Sequence, residues 1–463
     1  MTTAADWSTD AFFDAPEQVS VDGGTTSLGD LWHSVSPRWG HAMHAMCSYH
    51  GMFPAKVAHH FIQKYSEPGD VVLDPFSGRG TTPLQARVEG RRAIGNDLSP
   101  LAYVLSKAKV DPPSWDEAND YLDRLEGDFR RTKGRVPDVS PDIRMLYHDN
   151  TLAQLCFIRE RLLASPLTSL NRNELMLAGA LAGIMHGAWR RDGTSQYLSI
   201  SMPNTFSMSP SYVEKFILEN GLQKLDQDVF ERLRDKFARL YMDSNPGNAG
   251  ATYNLDAATL LSGGTLAAHS VDLVVTSPPY LQVVNYGQSN WIRLWLLGID
   301  EVGREQGEGR KRLDAVLDHR HTYSSYCEFM LRTMLGIQRV LKQDGVAVLV
   351  IGDVKESGKD DPLPLAAKMW EDIKDRTGLR LIEIVEDHLP AQSKVSRIWG
   401  ETKGQATNRD CALVLAPVNG KPNLDRTDID WDEPWKDAGP DAAHDRLRAI
   451  RSGASEYVSA SDD

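Results

Sequence analysis

Val71-Val72-Leu73-Asp74-Pro75-Phe76-Ser77-Gly78-Arg79-Gly80-Thr81 passes from a short apolar run through two glycines into a helical pattern. An apolar run of this length bounded by turn-forming residues reads as a buried strand. Gly78 and Gly80 admit a tight turn and the close approach of backbone to a ligand. In an open α/β sheet such a loop lies at the carboxyl end of the strand, where these sheets bind ligands. A second strand pattern, Ala93-Ile94-Gly95, ends at Asp97, 17 residues beyond Gly80. An acidic side chain there can accept hydrogen bonds from ribose hydroxyls, so the spacing supports a nucleoside ligand. Pro83 stands where the third glycine of a dinucleotide fingerprint belongs, and no Gly-Lys-Ser/Thr follows to make a Walker loop.

Val271-Asp272-Leu273-Val274-Val275 is another buried-strand pattern and runs into Thr276-Ser277-Pro278-Pro279-Tyr280. The two prolines fix φ, remove two amide donors and leave carbonyl acceptors. Acceptors suit an exocyclic amine of cytosine or adenine, whose lone pair is delocalised into the ring. A site that accepts its hydrogens favours the tetrahedral, nucleophilic form of the nitrogen. Ser277 Oγ and the Pro278 carbonyl are the candidate acceptors, and Tyr280 offers a flat face for a base taken out of the helix.

With both segments in view, the chain resembles the amino-group DNA methyltransferases. In that family a loop like Asp-Pro-Phe-x-Gly-x-Gly binds S-adenosyl-L-methionine, and a Ser/Asp/Asn-Pro-Pro-Tyr/Phe motif holds the target amine. The serine variant after Thr276 is most like the cytosine-N4 branch. Met52-Phe53-Pro54 and Lys56 to Tyr65 resemble the segment that closes over the methionine end of the cofactor. Asn254-Leu255-Asp256-Ala257 resembles the segment whose acid contacts adenine. Tyr286 to Gly298, with Trp291, Arg293, Leu294 and Trp295, resembles the helix after the catalytic loop, and Val340 to Gly345 leads into a fifth strand at Val346 to Ile351. The resemblance implies a doubly wound, Rossmann-like α/β sheet, mostly parallel and seven-stranded, whose last strands are Leu381 to Glu386 and Cys411 to Ala416. It implies cofactor contacts at Phe53, Asp74, Phe76, Ser77, Gly78, Gly80, Thr81, Asp97, Leu98, Asp256 and Thr276, and catalytic roles for Ser277, Pro278, Pro279 and Tyr280. The implied reaction transfers a methyl group to N4 of a flipped cytosine in double-stranded DNA, in a restriction-modification or related setting with a restriction endonuclease as possible partner. DNA adenine-N6 methylation, RNA guanine-N2 methylation and a catalytically silent DNA-binding subunit remain alternatives.

The resemblance covers about residues 50–110 and 250–416, which divides the chain into a cofactor half (1–110), an insert (111–250), a catalytic half (251–417) and an acidic extension (418–463). The insert is far longer than ordinary connections between elements, so a separately folding piece is expected there. Phe230, Leu233, Phe237, Leu240 and Tyr241 recur at helical spacing, with Arg232, Arg234, Lys236 and Arg239 between them, which predicts an amphipathic helix with a basic outer face. Leu175 to Trp189 predicts a core helix, too short and interrupted by His186 to span a bilayer. Arg190-Arg191-Asp192-Gly193 and the loop Ser199 to Ser209, which includes Asn204, suit phosphates and base edges, so the insert is the candidate target-recognition region.

The 463 residues, 41% hydrophobic and 25% charged, have the composition of a soluble globular protein. Asp6, Asp10 and Asp14 replace the basic and apolar start of a signal peptide, so a cytoplasmic protein is expected. Cys47, Cys156, Cys327 and Cys411 are too dispersed for a disulfide framework. None follows a proline, which argues against the Pro-Cys nucleophile of a cytosine-C5 enzyme. A net charge of −13 is unusual for a DNA-binding chain. The extension from Asn419, with Asp428, Asp430, Asp432 and Glu433, accounts for part of it and predicts a solvated or weakly ordered segment. Basic residues gather instead at Arg130, Arg131, Lys133 and Arg135, at Arg190-Arg191, at Arg310-Lys311-Arg312, and along Lys394, Arg397, Lys403 and Arg409. His41, His44, Cys47 and His50 are spaced by three, but zinc usually draws ligands from two separated pairs, and no metal is expected.

Overall fold

Strand order places the candidate site. The computed structural model describes residues 25–27, 39–49, 51, 54–132, 138–190, 193–203, 207–245, 248–279, 286–299, 322–354, 363–388, 406–426 and 428–436. Its sheet contains β1 (Thr25–Ser27), β2 (Val71–Asp74), β3 (Arg92–Asn96), β4 (Ala251–Tyr253), β5 (Val271–Thr276), β6 (Leu341–Val354), β7 (Leu379–His388) and β8 (Ala406–Pro417), in the order β1-β7-β8-β6-β5-β2-β3-β4. Every neighbouring pair is parallel except those made by β8, which runs antiparallel to β6 and β7. The expected seven strands are therefore joined by a three-residue edge strand, β1. The chain builds outward from β2 through β3 to β4, then returns to the other side of β2 with β5. This reversal puts the topological switch point between β2 and β5, the place where open α/β sheets bind ligands.

Period-two alternation sets the two faces of the sheet. Ala347, Leu349 and Ile351 of β6 join Leu73 and Val274 in a core beneath helices Tyr323–Val340 and Leu365–Ile373. Val346, Val348 and Val350 join Val72, Leu273 and Val275 in the opposite core, beneath helix α1 (Ala55–Tyr65). Burial on both faces is why β2 is apolar throughout its first three residues rather than alternating.

Helix α2 (Thr81–Val88) starts at Gly80, which has φ 79° and ψ 39°. A Cβ at Gly80 would stand 2.8 Å from Ser106 Cα, so glycine is required there by conformation and by space. Helix α3 (Pro100–Val110) is capped by the Ser99 hydroxyl, which accepts from Ala102 N, and carries Pro100 in its first turn.

Among the described residues, the insert is helical and shares its core with the rest of the chain. Helices α4 (Trp115–Thr132), α5 (Asp149–Leu163), α6 (Arg172–Ile184), α7 (Pro210–Asn220) and α8 (Val229–Leu240) contribute Leu122, Leu155, Leu177, Leu181, Val213, Phe230 and Phe237 to one cluster. The same cluster holds Met43, Met46, Leu101, Leu105, Trp291 and Leu294 from outside the insert. Helix α6 begins with a capping box between Asn171 and Glu174 and is the expected core helix, ending at Ile184. The outer face expected on α8 is not a free basic surface: Arg234 binds Asp123 and Glu126, Arg232 binds Asp235, and Lys236 is buried with Nζ donating to Ala45 O.

The extension also departs from expectation. Trp435 is only 3% exposed and packs edge-on against Trp39, while Trp39 Nε1 donates to Trp431 O and Gly40 N to Glu433 Oε1. Arg426 donates to Gln63 O and Ser66 O at the end of α1. Arg426 and residues 428–436 thus pack on Trp39, Gly40 and the end of α1 as a strap. The acidic composition of this region conceals two tryptophans with enough apolar area to dock it.

Candidate active site

The left-handed turn after β2 is built by its own backbone. Gly80 N donates to Ser77 O at 2.7 Å and Ser77 N to Asn96 O at 2.8 Å, while Phe76 N donates to Asp74 Oδ1. Gly78, at φ 50°, donates its N–H to Asp97 Oδ2 at 2.8 Å. Ser77 Oγ lies 2.9 Å from Ser106 Oγ, and Phe76 meets Phe329 edge-on. Thr81 is buried at the start of α2, its hydroxyl accepting from Arg79 Nε. Lys109, wholly buried, donates from Nζ to Arg79 O and so holds the turn from below.

The ends of β3 and β4 join this turn through Asn96. Its Nδ2 donates to Pro75 O and to Leu255 O, each at 3.0 Å, and its Oδ1 accepts from Leu255 N. Asn254 Nδ2 donates to the carbonyls of Asp97 and half-buried Leu98. Asp97 Oδ1 accepts from Ser99 N at 2.9 Å. Asp256 is exposed and caps the following short helix, accepting from Ala258 N and Thr259 N.

Thr276, the last residue of β5, is buried and donates its hydroxyl to Asp74 Oδ1 at 2.6 Å. The two sequence segments therefore meet: half-buried Ser277, buried Pro278 and half-buried Pro279 leave the sheet one residue beyond a direct bond to the glycine-loop strand. Phe53 and Tyr280 lie outside the described residues.

Burial raises the pKa of both carboxylates. Asp74 is pushed up to about 7 by desolvation, against hydrogen bonds from Thr276 and Phe76 that favour its charged form. Asp97 is pushed up to about 6 by desolvation, against backbone donors from Ser99, Gly78 and Leu98.

Asn96, Ser106, Lys109 and Tyr49 were not legible as site residues. Asn96 directly precedes Asp97 at a strand end, which is the one local signal among them. Of the expected DNA-contacting residues, Arg130 pairs with Glu126 and Arg131 with Asp128, while Arg409 binds Asp353 at 2.8 Å and Glu386 at 3.1 Å. Arg190 is exposed. Lys133, Arg135, Arg191, Asn204, Arg310 to Arg312, Lys394, Arg397 and Lys403 lie outside the described residues.

His41 and His44 turn to separate partners, Ser244 O and Gln85 Oε1. Cys47 Sγ donates to Ser48 O, and His50 lies outside the described residues. Among the described residues, no helix is long and apolar enough to cross a membrane.

The glycine turn lies within the stretch of the chain that matches known proteins. Residues 6–107 match a DNA methylase family model. Over this stretch the chain is similar to the DNA methylases. It is 32% identical over 68 residues to the type II methyltransferase M.MjaII of Methanocaldococcus jannaschii, covering 15% of this chain and 13% of that one. It is 22% identical over 302 residues to the type II methyltransferase M.BsoBI of Geobacillus stearothermophilus, covering 56% of this chain and 53% of that one. The matched region thus spans about half of the latter relative and a smaller share of the former. Among solved structures, the cytosine-N4-specific PvuII DNA methyltransferase aligns at 17% identity and a TM-score of 0.25, covering 37% of this chain and 50% of that one.

Proposed function

We propose that this chain transfers a methyl group from S-adenosyl-L-methionine to the N4 amino group of a cytosine turned out of duplex DNA. One observation carries the reading: the nucleoside-type loop after β2 and the Ser277-Pro278-Pro279 segment after β5 leave adjacent strands tied by Thr276 and Asp74.

The sulfonium of S-adenosyl-L-methionine supplies an electrophilic methyl group, and the residues fit such a cofactor. Gly78 and Gly80 hold the turn open to close approach, and Asp97 at the end of β3 offers a carboxylate to a ribose. Ser277 Oγ and the Pro278 carbonyl accept the hydrogens of the amine as its nitrogen becomes tetrahedral. That interaction strengthens toward the transition state and so speeds the reaction rather than merely binding substrate. Tyr280 stacks on the extruded base, replacing part of the stacking lost on leaving the helix. Holding amine and methyl donor on neighbouring loops removes much of the entropic cost of bringing them in line. The same acceptors would serve N6 of adenine, and the serine in the motif favours cytosine.

Incubation with methyl-labelled cofactor and duplex DNA from a strain lacking this chain tests the reading. Label should enter the DNA, and its absence under conditions where the protein binds the cofactor would refute transfer.

A further inference from the structure

Resting on that proposed function, we propose that Tyr49 is a positioning residue that couples the two halves of the site: with Tyr286 it links occupancy of the cofactor turn to binding of the target DNA.

The chain leading to Tyr49 is fixed at several points. Arg79 Nη1 donates to His44 O at 3.1 Å, Lys236 Nζ to Ala45 O at 2.8 Å, and Arg293 Nη2 to Ser48 Oγ at 3.2 Å. Gly183 of α6 approaches so closely that a Cβ there would stand 1.8 Å from Met46 O. The ring of Tyr49, only 7% exposed, lies across the glycine turn, where a Cβ on Gly78 would lie 3.7 Å from its Cε1. Its phenol hydrogen-bonds with Ser99, the residue that also donates its N–H to Asp97.

On the other side, Tyr49 stacks on Tyr286, with ring centroids 6.0 Å apart and planes 28° apart. Tyr286 opens the helical segment that follows the Ser277-Pro278-Pro279 loop in sequence. The Asp97 carboxylate acts electrostatically on both phenols, so the two rings and the acid form one cluster. A ligand that hydrogen-bonds Asp97 therefore presses on a stack whose outer ring belongs to the target-binding half. Each ligand then stabilises the arrangement the other uses, and the coupling is reciprocal.

The test measures S-adenosylhomocysteine affinity by calorimetry, without and with saturating plasmid DNA from a host lacking this chain. The wild type should bind about tenfold more tightly when DNA is present, within the usual span of coupling. Tyr286→Ala should bind S-adenosylhomocysteine alone within about twofold of wild type and lose the DNA enhancement to below about twofold. Its KM for S-adenosyl-L-methionine should rise in proportion while kcat changes less. Tyr49→Phe keeps the stack but loses the hydrogen bond to Ser99, and should retain only part of the enhancement. An undiminished enhancement in Tyr286→Ala would overturn the proposal, as would a wild type that binds both ligands independently. A wild type that binds no S-adenosylhomocysteine would instead overturn the function on which the proposal rests, and the proposal with it.

Discussion

The hydroxyl of Thr276 donates to Asp74 Oδ1 at 2.6 Å, joining the last residue of β5 to the last residue of β2 in a buried bond. This is the covalently remote contact that turns two local motifs into one site. A buried carboxylate loses much of its hydration, and each hydrogen bond that favours its charged form returns part of that loss.

Thr276→Val removes the donor and should cost about 1 to 3 kcal/mol of stability at neutral pH, the scale for leaving a buried polar group unsatisfied. Asp74 already titrates at about 7 in the folded protein, above its ordinary value of 3.8. The folded state therefore holds this proton more tightly than the unfolded chain, and the Asp74 contribution to stability is fully present below pH about 4 and lost as pH rises through about 7. Losing Thr276 should push that decline to higher pH. Urea midpoints between pH 4 and 8 give the answer, and superimposable profiles for variant and wild type would contradict the bond's role.

Gly80→Ala and Gly264→Ala should separate conformational strain from crowding. Both glycines have positive φ, 79° and 81°, but a Cβ at Gly264 meets nothing within 4 Å whereas one at Gly80 meets Ser106 Cα at 2.8 Å. Alanine at Gly264 should cost about 1 kcal/mol for the left-handed backbone, and alanine at Gly80 clearly more. Thermal unfolding compares them, and equal losses would mean that the α3 contact carries no weight.

Cofactor affinity should depend on the charge of Asp97. With a free-protein pKa of about 6, raised by burial, Asp97 must lose its proton to accept ribose hydroxyls as a carboxylate. Binding of S-adenosylhomocysteine should then tighten up to about tenfold per unit as pH rises toward 6 and level off above it. Asp97→Asn should weaken binding and remove this portion of the pH dependence, while Asp74, titrating near 7, remains. Calorimetry from pH 5 to 8 measures both effects, and a slope unchanged in Asp97→Asn would contradict the assignment.

Trp435→Ala should cost about 3 to 5 kcal/mol, as large-to-small changes at buried aromatics do. The loss would fall on the strap that holds Trp39 and the segment leading to Tyr49. Denaturant unfolding with a loss below about 1 kcal/mol would show that the strap does not bear on the stability of the chain.

The strands around the site were legible because each is a short apolar run closed by a turn former, as at Val72-Leu73 and Val274-Val275. Asp97 and the glycines were legible from spacing alone. Lys109 and Tyr49 were not, since each acts on residues distant in sequence: Lys109 reaches Arg79 and Tyr49 covers Gly78. The face of α8 was misread for a related reason. Helical periodicity shows which residues point outward, but not that Asp123 and Glu126 of α4 wait for Arg234. In the extension, net charge outweighed two tryptophans whose docking depends on Trp39, far away in the chain.

The most direct test digests DNA methylated with labelled cofactor and separates its nucleosides. Recovery of the label in N4-methylcytosine is the predicted result, with single-turnover transfer slowed in Ser277→Ala while cofactor and DNA affinity stay near wild type, because the lost interaction belongs to the transition state. Label in N6-methyladenine alone would contradict the assignment to cytosine, and label confined to RNA would contradict the account as a whole.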